Sequence, residues 1–133
     1  MTATPAPTPK DRRATVRDWP YHRLFALKAA GEAERVLWIF EAERPDDARP
    51  RQAIEAIRAW AQGKLELSMA LVRKLSLGAH AAARAARSDA ARYAARAAGH
   101  AVATWHVPTH AMAVPAYVCK AIFASQGARP RRK

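Results

Sequence analysis

The sequence predicts an all-α protein, a compact bundle of five to six short helices with disordered basic termini. Alanine, the strongest helix former, supplies 34 of the 133 residues, whereas the strand-favouring Val, Ile and Thr are sparse. No stretch alternates apolar and polar residues as a strand does, and the chain has no asparagine to form an Asn-Gly hairpin. The length predicts one domain.

The ends of the chain differ from its middle in charge and composition. We divide it into a disordered arm (1–15), a helical domain (16–127) and a basic tail (128–133). The net charge of +12 includes +2 from residues 10–13 and +4 from residues 129–133, which leaves +6 for residues 14–128. The arm has no apolar core of a secretory signal, and no window approaches about 20 apolar residues. We therefore expect a cytoplasmic protein that does not enter a membrane.

Two helices are predicted before residue 45. The first begins near Asp18 and ends at Gly31, and its apolar side is expected to contain Leu24, Phe25 and Leu27. The second covers residues 32–44, ends at Pro45, and carries apolar residues at helical spacing: Ala33, Val36, Leu37 and Phe40, widened by Trp38 and Ile39.

The third predicted helix opens with two acids and two arginines between prolines. Asp46 or Asp47 can accept backbone N–H groups at a helix start. Arg49 and Arg51 would be unfavourable there, because the helix dipole repels cations at its N-terminus. We therefore expect these arginines either to pair with the two Asp or to reach a partner. The helix ends at Gly63, and its buried stripe contains Ile54, Ile57 and Trp60.

Three further helices complete the prediction. The fourth covers residues 65–88 with Ser68 as its cap, and the fifth starts at Ser88 or Asp89. Residues 97–105 carry no charge, which makes the fifth helix the expected centre of the fold, and Gly99 would let a neighbour approach closely. In the sixth helix, we expect Thr109 to be the cap, Pro115 to kink the helix or split off its first turn, and Cys119 to be a buried, inert thiol.

Histidines cluster around the turn before the last helix. His100, His106 and His110 lie within eleven residues, with His80 one helix earlier. The spacing of His106 and His110 suits a metal on one helix face, but Pro108 separates them and no Cys or carboxylate is near in sequence. We favour a structural role, with His100 buried and hydrogen-bonded, and expect no metal and no cofactor.

Other chemistry has weaker support in the sequence. Thr104 and Thr109 lie near histidines, but each also suits a helix back-bond or a cap, and no nucleophile elbow, Walker loop or dinucleotide fingerprint is present. We therefore do not expect an enzyme. The alternative is a nucleic-acid-associated basic helical protein, which would bind phosphates through the basic tails or through Arg84, Arg87, Arg92 and Arg96.

Two blocks resemble the Imm-five-like family of immunity proteins. They are ERVLWIFEAERPDDARPRQAIEAIRAWAQGK and ARAAGHAVATWHVPTHAMAVPAYVCKA, and the resemblance covers roughly residues 20–124. It implies an all-helical, cytoplasmic bacterial protein that is not an enzyme and that binds and neutralises a toxin domain. Val114 and Pro115 depart from the small residues expected there.

The resemblance also joins the polar residues of the two blocks into one candidate site. It comprises Asp46, Asp47, Arg49, Arg51, Trp60, His100, Thr104, His106 and His110. We expect the two blocks to meet across the helix packing, so that Arg and Asp form a partly buried network with the histidines. That network either fixes how the helices dock, which we favour, or lines a partner-facing cleft. Because the middle of the chain is basic, the partner surface is expected to be acidic, or the toxin is not a nuclease.

Overall fold

Five helices form the part of the chain that the computed structural model describes, residues 20–127. They are α1 (Pro20–Glu43), α2 (Arg49–Ala61), α3 (Met69–Ala85), α4 (Asp89–Ala103) and α5 (His110–Gly127). This range contains no strand, so the predicted all-α class is confirmed. None of these helices has the length and hydropathy that crossing a bilayer requires. The predicted arm, the basic tail and the cap at Asp18 lie outside the described residues.

Helix α1 runs through the glycine that was expected to end it. Gly31 is exposed and lies mid-helix, so the prediction of two separate helices is wrong. A glycine costs about 1 kcal/mol in a helix interior. That cost is small beside the burial of Ala29, Ala30 and Ala33, which continue one packed face across Gly31. Tertiary packing therefore overrides the local stop signal.

The first half of α1 buries its small residues and exposes its large ones. Ala26 and Ala30 are fully buried, whereas Leu24, Phe25 and Leu27 are exposed, contrary to the expected apolar side. Trp38, farther along α1, is exposed as well, while its neighbours Leu37 and Ile39 are buried. Alanine faces allow the helices to approach closely, and the larger side chains of the first half then remain on the outer side.

The helix starts follow the predicted capping chemistry in two of three cases. Ser68 accepts the N–H of Leu71 at the start of α3, and Ser88 accepts that of Ala91 at the start of α4, both at 3.1 Å. For α5, the N–H of Met112 donates to the backbone carbonyl of Thr109 (3.0 Å), where a threonine cap would have used the hydroxyl. Gly63 lies just beyond α2 with a φ of +74°, which suits the left-handed turn that ends this helix.

Two expectations about α5 are corrected by the structure. The helix is continuous through Pro115, so its first turn is not split off. Cys119 is exposed, whereas a buried thiol was expected. Val114, Val118 and Ala121 form the inner face of α5, and Met112, Cys119 and Phe123 lie outside. The apolar stretch therefore covers both the buried and the exposed face of the helix. For this reason the sequence pattern predicted that the Cys119 thiol would be buried.

Helix α4 is the centre of the fold, as its uncharged run predicts. It contacts each of the other four helices. Nine of its residues are buried, seven of them alanines; Gly99 and Val102 are the other two. More than half of the buried hydrophobic residues of the described chain are alanines, so the helices contact one another through small side chains. Each alanine buries little apolar area, and the close packing of many atoms compensates for this.

Helices α3 and α4 approach each other closely at Gly99. A Cβ placed on Gly99 would lie 2.6 Å from Nε2 of His80 and 2.8 Å from its Cε1. Real Cβ atoms do not come that close, so only glycine leaves the imidazole this position. The prediction that Gly99 admits a close neighbour is confirmed.

Substituting Gly99 tests this contact against a matched glycine. We expect Gly99→Ala to lower the free energy of unfolding by about 1–3 kcal/mol, because overpacking at the His80 ring outweighs the helix propensity of alanine. Gly31→Ala, which has nothing within 4 Å of the added Cβ, should instead raise it by up to about 1 kcal/mol. Urea denaturation followed by circular dichroism measures both. Equal stability of the two variants would contradict the close approach.

Candidate functional site

The acids and arginines of the α1–α2 connection, the Asp/Arg turn (residues 43–51), pair mainly with one another. Asp47 accepts from Nε and Nη2 of Arg49 at 2.9 and 2.7 Å, and from the backbone N–H of Arg49 at 3.2 Å. The hydrogen bonds from Arg49 lower the pKa of Asp47 below its usual range. The predicted pairing of Arg49 with an aspartate is confirmed. Asp46 is exposed at the rim of this turn.

Arg51 pairs with glutamates and not with either aspartate. Its Nε and Nη2 donate to Glu41 at 2.7 and 2.6 Å, in a bidentate contact between α2 and α1. A second carboxylate, that of Glu55, lies 3.5 Å from Nη1. The hydrogen bonds from Arg51 lower the pKa of Glu41. Arg51 therefore fixes the docking of α2 on the end of α1, whereas Arg49 stabilises the turn that leads into α2.

Glu43 is a structural residue that the sequence did not reveal. Its carboxylate accepts the backbone N–H groups of Arg87 (2.8 Å) and Ser88 (2.9 Å), which precede α4. Burial alone would raise the pKa of Glu43, but these hydrogen bonds outweigh it and lower the pKa. The position of a carboxylate at the end of α1, where the helix dipole disfavours it, was the available signal. Arg44 donates a hydrogen bond to the carbonyl of Ala85 (3.2 Å), which connects the end of α1 to the end of α3.

Thr104 and Trp60 lie together beside the start of α1, where His22 connects them. The buried His22 donates from Nε2 to the carbonyl of Thr104 at 2.6 Å, and its ring meets that of Trp60 edge-on at 5.1 Å. Arg23 stacks over the Trp60 ring at 4.4 Å and donates to its carbonyl. The hydroxyl of Thr104 donates back to the carbonyl of His100, which is the helix back-bond. Sequence reasoning missed His22, because its partner Thr104 lies 82 residues away.

The other four histidines meet around one cavity of about 220 Å³, the histidine cavity. Nδ1 of His100 and Nδ1 of His110 are 3.1 Å apart, and the rings of His80 and His100 are 5.3 Å apart. The cavity is lined by Met69, Val72, Arg73, Ser76, Leu77, His80, His100, Ala103, His106 and His110. The sequence-predicted clustering of these histidines is therefore observed, with His106 on the exposed rim.

The surroundings of these histidines favour their neutral forms. Burial, together with the nearby Arg96, lowers the pKa of His80 to about 4. Arg96 donates to Nδ1 of His80 at 2.8 Å, which leaves the ring proton on Nε2. Burial followed by repulsion from His110 lowers the pKa of His100, and burial followed by repulsion from His106 lowers that of His110. Within residues 20–127, no three His, Cys, Asp or Glu side chains are arranged to hold a metal ion.

The structure does not bring the two predicted groups together as one network. In the described chain, no hydrogen bond or ion pair joins the Asp/Arg turn to His100, His106 or His110. On α3, a Cβ placed on Gly78 would lie 3.7 Å from Cδ of Arg49, and Gly78 precedes His80 by two residues. Two residues turn a helix by about 200°. The expectation of a joint Arg–Asp–His network is wrong, because Asp47 pairs with Arg49, while the histidines pair with one another and with Arg96.

An apolar groove of about 450 Å³ lies between α1 and the start of α5. Phe25 and Met112 line it and are 47% and 78% exposed. Its other lining residues are Lys28, Ala29, Glu32, Pro108, Thr109, Ala111 and Pro115. This groove was not predicted from the sequence, because the periodic pattern assigned Phe25 to the apolar side of its helix.

Comparison with known proteins gives one match. A family model described as Imm-5 like putative immunity protein matches residues 20–133, which include all the described residues. No curated protein and no solved structure matches the chain. The match confirms the resemblance carried by the two sequence blocks.

The lowered histidine pKa values predict a pH-dependent stability. The unfolded chain takes up protons near pH 6.5, while the folded histidines resist protonation, so stability present above that pH is lost as pH falls towards their lowered pKa values, which for His80 is about 4. We expect the free energy of unfolding to fall by about 1 kcal/mol or more between pH 7 and 5, after allowing for partial solvent exposure. Urea titrations at both pH values measure the change.

Two variants identify the source of that loss. His80→Gln should remove a substantial part of it, whereas Glu55→Gln, an exposed change on α2, should leave it intact. The interval from pH 7 to 5 lies above the pH range in which the carboxylates of Glu41, Glu43 and Asp47 take up protons, because their pKa values are lowered. A stability that stays constant from pH 7 to 5 would contradict the neutral, desolvated histidines.

Proposed function

The chain belongs to the Imm-5 like putative immunity protein family, and we propose that it binds and neutralises a protein toxin domain without catalysing a reaction. The observation that carries the proposal is the family match across the whole described bundle. The proposal includes a bacterial, cytoplasmic location, because an immunity protein must meet its toxin in the compartment where the toxin acts. The identity of the toxin is left open.

The groove between α1 and α5 is the surface that we assign to the toxin. Phe25 and Met112 are large apolar side chains on the outside of a small protein, next to a concave surface. Adjacent exposed apolar side chains of this kind are typical of protein interfaces, where a few of them supply most of the binding energy. Lys28 and Glu32 at the same groove provide the polar rim that such interfaces have.

The polar clusters support binding over catalysis. The carboxylates of Glu41 and Asp47 are engaged by arginines, and that of Glu43 by backbone N–H groups. The hydroxyls of Ser76 and Thr104 donate to the backbone carbonyls of Gly99 and His100, so neither is directed at a general base. These groups stabilise helix packing, which agrees with the structural role favoured for the Asp/Arg block.

Charge predicts the character of the toxin surface. Most acids in the described chain are already paired with arginines, while Arg73, Lys74, Arg84 and Arg87 extend from α3 and the turn after it as exposed cations. This uncompensated positive charge favours an acidic partner by steering its approach. Nucleic acid would respond to the same charge, but it would not need the apolar groove.

Co-expression tests the proposal. The chain should be expressed with the product of each gene that flanks its own; we expect one product to arrest growth alone, to be tolerated together with the chain, and to form a complex in analytical ultracentrifugation. Phe25→Asp with Met112→Asp should abolish both protection and complex formation, because charges would enter the apolar contact. Leu65→Asp, an exposed apolar position in the α2–α3 connection, is the matched control and should retain both.

Two results would contradict the proposal at different levels. If no flanking product is toxic or bound, the immunity role is wrong. If the groove variant protects as well as the wild type while the complex persists, the role stands and the assigned surface is wrong.

A further inference from the structure

We propose that the histidine cavity binds a small oxyanion, such as inorganic phosphate, between Arg73 and the His100–His110 pair. This site is separate from the apolar groove and does not depend on the toxin-binding proposal. Its volume of about 220 Å³ lies below the 300–1,000 Å³ typical of sites for drug-sized ligands. The cavity therefore suits a small group.

The lining of the cavity supplies hydrogen-bond donors and positive charge. Four histidines, Arg73 and Ser76 line it, and none of its lining residues carries a carboxylate. Arg73 takes part in none of the ion pairs found in residues 20–127, so its guanidinium is not neutralised by an acid of the described chain. A concave surface lined in this way attracts anions, and a guanidinium matches the geometry of an oxyanion.

The paired histidines can add one positive charge without losing their contact. In the neutral pair, one Nδ1–H donates to the other Nδ1 across 3.1 Å, so one ring has no proton on Nε2. One further proton on that Nε2 preserves the shared hydrogen bond and leaves both Nε2 atoms as donors. A second added proton would place two N–H groups against each other. The pair is therefore suited to bind one proton together with an anion.

Among the described residues, the charged groups next to the pair are cations or histidines. They are Arg73 and His80 from α3, Arg96 from α4 and His106 from the connecting turn, and the neutral Tyr117 of α5 stacks its ring on His100 at 5.1 Å. These neighbours oppose protonation, in agreement with the lowered pKa values of His100 and His110. An oxyanion would supply the negative charge that this environment lacks, so binding and proton uptake should favour each other.

Two of the lining polar side chains already have partners within the fold. Nδ1 of His80 accepts from Arg96, and the hydroxyl of Ser76 donates to the carbonyl of Gly99 at 3.2 Å. These side chains act as positioning residues for the cavity wall. Direct contact with the anion is assigned to Arg73, His100 and His110.

The test is a titration of the full chain with inorganic phosphate, followed by NMR of the histidine ring protons at about pH 6 and constant ionic strength set with chloride. We expect saturable shifts of His100 and His110 and a phosphate-induced rise in their pKa values. His22, which packs edge-on against Trp60 and does not line the cavity, serves as the internal reference and should not shift. Acetate in a parallel titration distinguishes a carboxylate from a phosphate ligand.

Two neighbouring cations on α3 provide a matched pair of variants. Arg73→Gln and Lys74→Gln each remove one exposed positive charge, but only Arg73 lines the cavity. We expect Arg73→Gln to weaken phosphate binding by about tenfold or more, through the loss of a charge-assisted hydrogen bond, and Lys74→Gln to change it little. If neither phosphate nor acetate causes saturable shifts, the site does not exist. If Arg73→Gln and Lys74→Gln weaken phosphate binding equally, the proposal is also overturned, because equal weakening reports only a general effect of charge.

Discussion

The fold depends on how closely four helices can approach α4. Seven of the buried residues of α4 are alanines, and at Gly99 even a single added carbon would meet the ring of His80. Small side chains bury little apolar area each, so stability must come from dense contact between many atoms. This constraint also explains the surface of the protein. Where α1 turns its alanines inward, Leu24 and Phe25 are left outside, and Phe25 then lines the groove assigned to a partner.

A core of small side chains determines the register between helices only weakly. Polar contacts at the two ends of the bundle help to determine it. At one end, the carboxylate of Glu43 accepts the backbone N–H groups that precede α4, and Arg51 donates to the carboxylate of Glu41. These contacts fix α1, α2 and α4 relative to one another. At the other end, the buried His22 ties α1 to the carbonyl of Thr104. These contacts use the polar residues of the two family blocks for docking. The groove and the histidine cavity, which are separate but both include residues near the start of α5, are the surfaces that we assign to ligands.

Local signals in the sequence identified the features that depend on neighbours along the chain. The serine caps at Ser68 and Ser88, the buried course of α4 and the pairing of Arg49 with Asp47 all follow from residues within a few positions of one another. Features decided by distant partners were missed or mistaken. Gly31 does not end α1, because packing on both sides continues the helix. The partners of Glu43 and His22 lie 45 and 82 residues away, and no pattern within either segment indicates them. The predicted Arg–Asp–His network failed for the same reason, since the positions of the Asp/Arg turn and of the histidines depend on how distant helices pack.

Native-state hydrogen exchange tests most directly whether α4 holds the other helices together. If close packing around α4 is the central constraint, the amides of residues 94–102 should exchange only through global unfolding, with the same free energy as urea denaturation gives for the whole domain. Amides in the first turns of α1 and α5 should open at lower free energy. The account would be contradicted if residues 94–102 exchanged through local opening while α1 or α5 stayed protected.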